Sequence, residues 1–179
     1  MKGALQIVSL FSALAILFAV GTARADEGVD ADSGGYTMGV ALTIGEGVYF
    51  VDGHGYRGPV SLEVVPSIGW AWFKFDLGVS TTLESVKIAD TNFGDWNVTF
   101  RPGGRLTPPS TPLYLRVAFP LQIQQHDIDY GVMFGAGADI GIAANLGLVL
   151  EIDTTLSKNL EWGGRGLPLE FRAGLSLHF

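Results

Sequence analysis

The chain has 179 residues, a formal charge of −7, a mean hydropathy of +0.32, 25 glycines and no cysteine. One domain is the natural count at this length. The hydropathy is too high for a disordered chain, the acidic balance argues against a nucleic-acid partner, and the missing cysteine excludes a disulfide scaffold and a thiolate metal site.

At the N-terminus, Lys2 precedes an apolar run over residues 7–20 that closes in Ala23-Arg24-Ala25. A basic start, an apolar stretch and a small-x-small ending predict a secretory signal peptide over residues 1–25, cleaved after Ala25 with Ala23 as the other small residue of the site. As an uncleaved anchor the run is barely long enough to span a bilayer. Cleavage takes away Lys2 and Arg24 but no acid, leaving 154 residues with nine basic and 18 acidic side chains. An exported, cysteine-free chain of this kind fits a bacterial envelope. Residues 26–35, DEGVDADSGG, then read as a short flexible leader. Its Asp30-x-Asp32 opening mimics a calcium loop but fails at Gly34 and Ala41, the fifth and twelfth positions, so no metal site is expected.

From Tyr36 onward the organising signal is alternation with period two, which places successive side chains on opposite faces of a strand. Eight segments carry it: 37–45, 60–68, 73–84, 96–101, 113–124, 130–142, 145–156 and 167–179. In the last, Leu167, Leu169, Phe171, Ala173, Leu175, Leu177 and Phe179 form an apolar face, and Pro168, Glu170, Arg172, Gly174, Ser176 and His178 a polar one. Turn signals separate the segments at 53–58, 69–71, 90–94, 107–110, 125–129, 143–145 and 157–166. A Pro120 inside the fifth segment predicts a bulge, and Pro102-Gly103-Gly104 blurs the register of the fourth. A helix across residues 132–150 would set Asp139 near a bilayer centre at about +2.5 to 3.5 kcal/mol and contains several glycines, so strands are preferred.

Repeated strands of about ten residues suit a membrane barrel, although a soluble eight-stranded barrel gives similar spacing. The polar faces decide between them. They carry Glu63, Lys74, Asp76, Glu84, Arg101, Arg105, Arg116, Asp139, Glu151, Asp153, Glu170 and Arg172 among many glycines, and small residues save space inside a narrow closed barrel. The opposite face carries bulky apolar residues, which suits lipid. Aromatic residues gather toward the strand ends, with Tyr36, Trp70, Trp72 and Phe179 at one rim and Tyr49, Phe50, Trp96, Tyr130 and Trp162 at the other, as in an interfacial girdle. The expectation is an all-β, eight-stranded antiparallel up-and-down transmembrane barrel over residues 36–179.

The ending Arg172-Ala173-Gly174-Leu175-Ser176-Leu177-His178-Phe179 resembles the terminal assembly signal of Gram-negative outer-membrane barrels, with Arg172, Gly174, Leu177 and the final Phe179 at the marking positions. Together with the leader and the eight segments, the mature chain resembles the small outer-membrane proteins of the OmpX and OmpA-barrel type. That resemblance implies a cell outer-membrane location after signal cleavage, contact with outer-membrane lipid, and handling by periplasmic chaperones and the barrel-assembly machinery. It also implies a monomer with no cofactor and no nucleic-acid partner. Nothing follows Phe179, so the peptidoglycan-binding domain of OmpA-like proteins is not expected.

For chemistry the sequence offers little. His178 is expected on the polar face near one rim. His54 and His126, with Asp52 and Asp127 nearby, fall where lipid A acyltransferases of similar barrel size keep a catalytic histidine, but no serine stands at a spacing that marks a nucleophile. The polar-face carboxylates are expected to pair with the basic residues, because unpaired charges away from water are costly. A non-catalytic structural or surface-interaction barrel is therefore the first reading, a lipid A-modifying enzyme the second and a small-solute channel the third.

Overall fold

The computed structural model describes residues 36–51, 53–70, 72–88, 91–93, 97–108, 110–124, 128–157 and 167–179. The signal peptide and leader expected over residues 1–35 lie outside them, as do Trp96 and Trp162. In chain order the strands are β1 (Thr37–Val51), β2 (His54–Gly69), β3 (Phe73–Thr82), β4 (Val86–Ile88), β5 (Thr91–Phe93), β6 (Asn97–Leu106), β7 (Leu113–Ala118), β8 (Leu121–Gln124), β9 (Ile128–Ala143), β10 (Leu146–Ser157) and β11 (Leu167–His178). Every pairing among them is antiparallel, β11 returns to β1, and β9 pairs with β10, so the sheet closes into a ring. Because β7 and β8 both lie between β6 and β9 and continue one another, the ring has eight staves. β4 and β5 form a separate hairpin at the end opposite Thr37 and His178. Residues 132–150 belong to β9, a turn and β10, so the helical alternative fails.

The alternation fixes the wall's two surfaces. Leu42, Ile44, Leu77, Leu115, Val117, Leu150, Phe171 and Leu175 all point outward and remain 41–59% exposed. Their neighbours in sequence, among them Thr43, Asp76, Arg116, Glu151, Arg172 and Ser176, point inward and are buried. A small apolar layer of Ala41, Val65, Tyr114 and Val149 shares the interior with the charges.

Two expectations about the backbone need correction. The first hairpin turns at Gly53, whose φ of +78° is the left-handed conformation glycine adopts without a steric penalty, and β2 begins at His54, so residues 54–58 are strand rather than turn. Its register shifts between Glu46 and Val48, where Gly58 and Pro59 oppose Gly47 alone. That bulge brings Arg57 to the outside of the wall.

The bulge expected at Pro120 is absent. The β6 ladder runs from Gly103↔Ala118 to Phe100↔Leu121 without a shift, and the β9 ladder does the same from Ala118↔Met133 to Leu121↔Tyr130. Pro120 accepts from the Gly131 N–H at 3.1 Å, and Pro102 accepts from the Phe119 N–H at 2.8 Å. In each pair the proline cannot return the bond, so the break is chemical and not a change of register. Neighbouring strands on both sides hold the stave in line.

Pro102 faces outward, which makes it the cleaner position for a test. Pro102→Ala restores a donor to the Phe119 carbonyl, worth about 1–3 kcal/mol where that group is otherwise unsatisfied. This exceeds the roughly 0.4–1 kcal/mol that the freer unfolded chain gives back. Denaturant unfolding from lipid vesicles is expected to show a stabilised variant; a lower midpoint would show that the missing bond costs nothing.

Candidate functional site

The interior is where polar chemistry concentrates. Eight charged side chains are buried there at 8% exposure or less: Glu63, Asp76, Arg101, Arg105, Arg116, Glu151, Asp153 and Arg172. They arrive from β2, β3, β6, β7, β10 and β11, each at an inward position of the alternation. Glycine makes the room. A Cβ at Gly78 would stand 2.8 Å from Arg116 Nη2 and closer still to Glu63 Oε1, and one at Gly137 would stand 2.6 Å from the Tyr114 hydroxyl. The guanidinium groups therefore lie across backbone that has no side chain.

Glu63 is the hub. Arg116 Nη2 donates to its Oε1 at 3.1 Å, Arg172 Nη1 pairs with Oε2, and Arg101 Nη1 reaches Oε2 at 3.5 Å. From Arg116 the network continues to Glu151 Oε1 at 3.0 Å, whose other oxygen accepts from the Tyr114 hydroxyl at 2.6 Å. From Arg172 it continues to Asp153 at 2.7 Å and to Glu170, which also accepts from the Ser61 hydroxyl at 2.5 Å. Arg105 donates to Asp76 at 3.1 Å and lies 4.4 Å above the Tyr114 ring. Arg116 Nε is 3.4 Å from the same Asp76 oxygen, near enough to attract but not aligned as a hydrogen bond. Forked, permanently charged guanidinium groups suit this role, since each can satisfy two or three carboxylates at once.

Two residues assigned to this interior behave differently. Glu84 is outside it: its carboxylate takes Arg57 Nη2 at 2.6 Å and the Val60 N–H at 3.2 Å at the outer surface of the wall. The bond from Arg57 holds the Glu84 carboxyl below its ordinary value, with the Val60 N–H adding to the effect. Lys74 is half-buried, stands directly across from Arg105 in the β3–β6 ladder, and makes no ion pair among the described residues.

Near the end where the chain terminates, Ser176 Oγ donates to Asp139 Oδ1 at 2.7 Å and lies 3.1 Å from His178 Nε2; that nitrogen lies 3.3 Å from Asp139. The three residue types are those of a hydrolase triad, but the geometry is not. In a triad the serine and the acid bind opposite ring nitrogens, so that one orients the base and the other gives it a proton. Here both meet the same nitrogen. His54 is exposed at the tip of the first hairpin, and His126, Asp52 and Asp127 lie outside the described residues. Among the described residues no three His, Asp or Glu side chains are placed to hold a metal ion.

Sequence reasoning missed Ser61, Tyr114 and Ser176 as partners of the charges. The signal was present, because each stands at a polar-face position. Of the terminal motif, Arg172 belongs to the network and Leu177 is half-buried on the opposite face. Gly174 pairs with Thr43, where a Cβ would collide with the Leu42 carbonyl, and Phe179 follows β11 directly. The girdle residues Tyr36 and Trp70 lie 5.0 Å apart between ring centroids, their planes tilted by 36°.

No protein-family model matches the chain, and no curated protein sequence matches it. Solved structures do. Ail, the attachment invasion locus protein of Yersinia pestis, in complex with the heparin analogue sucrose octasulfate, aligns over 80% of this chain and 99% of its own at 9% identity and a TM-score of 0.56. Neisserial surface protein A aligns over 86% of this chain and 100% of its own at 10% identity and a TM-score of 0.51. At such identities the likeness is one of fold. The fold is the eight-stranded antiparallel barrel of the outer-membrane proteins, the architecture that the terminal motif and the eight alternating segments resembled.

Proposed function

We propose that this chain is a non-catalytic integral outer-membrane barrel, structural or surface-interacting in role, whose interior is closed by ion pairs. The observation that carries the reading is the inversion of polarity. Bulky apolar side chains face outward around the wall, and the buried interior holds charge, the reverse of what water on the outside would select. Among the described residues the outer surface carries charge only at Glu46, Arg57 and Glu84, near one rim.

On this reading the signal peptide is removed before Asp26. Periplasmic chaperones and the barrel-assembly machinery read the ending at Arg172, Gly174, Leu177 and Phe179. The monomer then rests in outer-membrane lipid without a cofactor. The segments that join the strands at the end opposite His178 are, in sequence, 52–53, 83–96, 125–127 and 158–166. They hold six acids, Asp52, Glu84, Asp90, Asp95, Asp127 and Glu161, against the three bases Lys87, Lys158 and Arg165. A polysulfated sugar such as the one bound by Ail is disfavoured there, and a neutral or cationic surface partner fits the charge better.

Three readouts test this together. After expression in a Gram-negative host, the protein is expected in the outer-membrane fraction with heat-dependent gel mobility. Planar bilayers are expected to show no porin-sized conductance, since an eight-stranded interior fills with its own side chains. Lipid A mass spectra are expected to be unchanged by expression. Recovery as soluble protein would overturn the barrel's location, a large stable conductance the closed interior, and a new lipid A acyl pattern the non-catalytic assignment.

A further inference from the structure

Every inward arginine among the described residues is paired, whereas Lys74 is half-buried and bonded to no carboxylate. The acids of its end of the interior are already engaged. Asp76 Oδ2 takes Arg105 at 3.1 Å and Arg116 at 3.4 Å, and Asp139 Oδ1 takes Ser176 at 2.7 Å and His178 at 3.3 Å. Across the ladder Lys74 faces Arg105, a like charge. An ammonium so placed draws an anion from beyond the side chains of the wall.

The surroundings of Lys74 leave room for one. It lies on the inward row Thr37, Gly69, Lys74 and Arg105, each the ladder partner of the next, at the end where β1 begins. The adjacent inward row holds His178, Gly39, Ser67 and Asp76. Glycines at 39 and 69 therefore leave bare backbone between the lysine and the histidine. A Cβ on Gly39 would stand 3.6 Å from His178 Nδ1, while both bonds of the ring are made by Nε2, so the unused nitrogen borders the same strip. The result is a polar notch inside the rim, over the first residues of β1.

The chain enters β1 through residues 26–35, DEGVDADSGG, which carry Asp26, Glu27, Asp30 and Asp32 and no base. Lys74 stands two strands from Thr37, about 10 Å at the usual spacing. Five extended residues from Thr37 back to Asp32 cover up to about 17 Å, and seven to Asp30 about 23 Å. Both acids can reach the lysine. The other connections at that end, 70–72, 107–112 and 144–145, contain no charged residue to compete for them. The connections at the opposite end hold an excess of acid and would repel them.

Resting on the signal-peptide and membrane-barrel readings above, we propose that the acidic leader of the mature chain docks back into this notch, with a carboxylate of Asp30 or Asp32 on Lys74. The segment caps the interior at the end that faces the periplasm, where the ion-paired network meets water.

The test is zero-length carbodiimide coupling of the mature barrel in micelles, purified from outer membranes after expression of the full chain, followed by peptide mapping. Lys74 joined to Asp30 or Asp32 is expected as the leading product. About 1 M salt during coupling should lower it about fivefold, the ratio for one partly exposed ion pair. A nitroxide on Ala31→Cys, the sole cysteine of that variant, should tumble slowly in the otherwise unaltered barrel and freely in Lys74→Gln. A leader that couples to nothing, or a nitroxide equally free in both proteins, would overturn the docking. Coupling of Lys74 to Asp76 or Asp139 would overturn the pairing by showing that interior acids hold the lysine, and products joining two chains would overturn it in favour of a neighbouring barrel's leader. Intact mass and heat-dependent gel mobility report signal cleavage and barrel insertion separately, so a cleaved, inserted barrel without coupling is a failure of the docking alone.

Discussion

Glu63→Ala is expected to cost about 3–5 kcal/mol of unfolding free energy, the loss that follows when one partner of a buried ion network is removed and the others stay charged. Glu63 is 1% exposed and sits among Arg101, Arg116 and Arg172. Without its carboxylate, three guanidinium groups face one another, and the remaining acids must serve them all. Arg116 keeps Glu151, and Arg172 keeps Asp153, so collapse need not be complete. Glu63→Gln keeps the volume and one acceptor oxygen, and should fall between the native protein and the alanine variant. Reversible denaturant unfolding from lipid vesicles gives the three values. A Glu63→Ala loss below about 1 kcal/mol, the level of an exposed pair, would mean that water reaches the hub and screens it.

How much of this site was legible in the sequence depends on how far each inference reached along or across the chain. Parity along a strand is local, and it placed Glu63, Asp76, Arg101, Arg105, Arg116, Glu151, Asp153 and Arg172 inside, where the structure has them. Parity fails where the strand stops. Counting onward from Asp76 put Glu84 on the inner face, but β3 ends at Thr82, and past that point the chain bends so that Glu84 meets Arg57 outside. Arg57 itself is brought outward by the bulge at Gly58 and Pro59, in a stretch whose glycines read as a turn.

Partnerships across strands are a different problem. Asp139 meets Ser176 across the whole width of β10, and the contact is possible because Gly147 lies between them; a Cβ there would collide with both side chains. That requires the register of three strands, which alternation alone leaves free by steps of two residues. The prolines show the converse. A lone strand would yield to Pro120 with a bulge, but two neighbouring ladders already in register leave no slack for one.

Which surface meets lipid is decided most directly by placing the same charge on each. Leu150 points outward from β10, 45% exposed, with Ala138 and Ala173 as its cross-strand partners, four positions or more from either end of the strand. Leu150→Arg is expected to cost roughly 2–4 kcal/mol, the value for a lipid-facing arginine near the midplane. Leu121 also faces outward but sits near the loop-side end of its stave, so Leu121→Arg should cost less, because the long side chain can reach the interface. The inward control is Gln122, half-buried and opposite Thr99. An arginine there faces a polar interior, and its cost should be the smallest of the three. Val149 makes a poor control although it points inward, because at 2% exposure it is packed with Ala41, Val65 and Tyr114, and an arginine would be rejected on volume alone. The ordering Leu150→Arg, Leu121→Arg, Gln122→Arg in vesicle unfolding therefore reports depth and facing together. If Gln122→Arg were the most damaging, the outer surface would be the one that tolerates charge, and a water-soluble barrel would replace the membrane barrel.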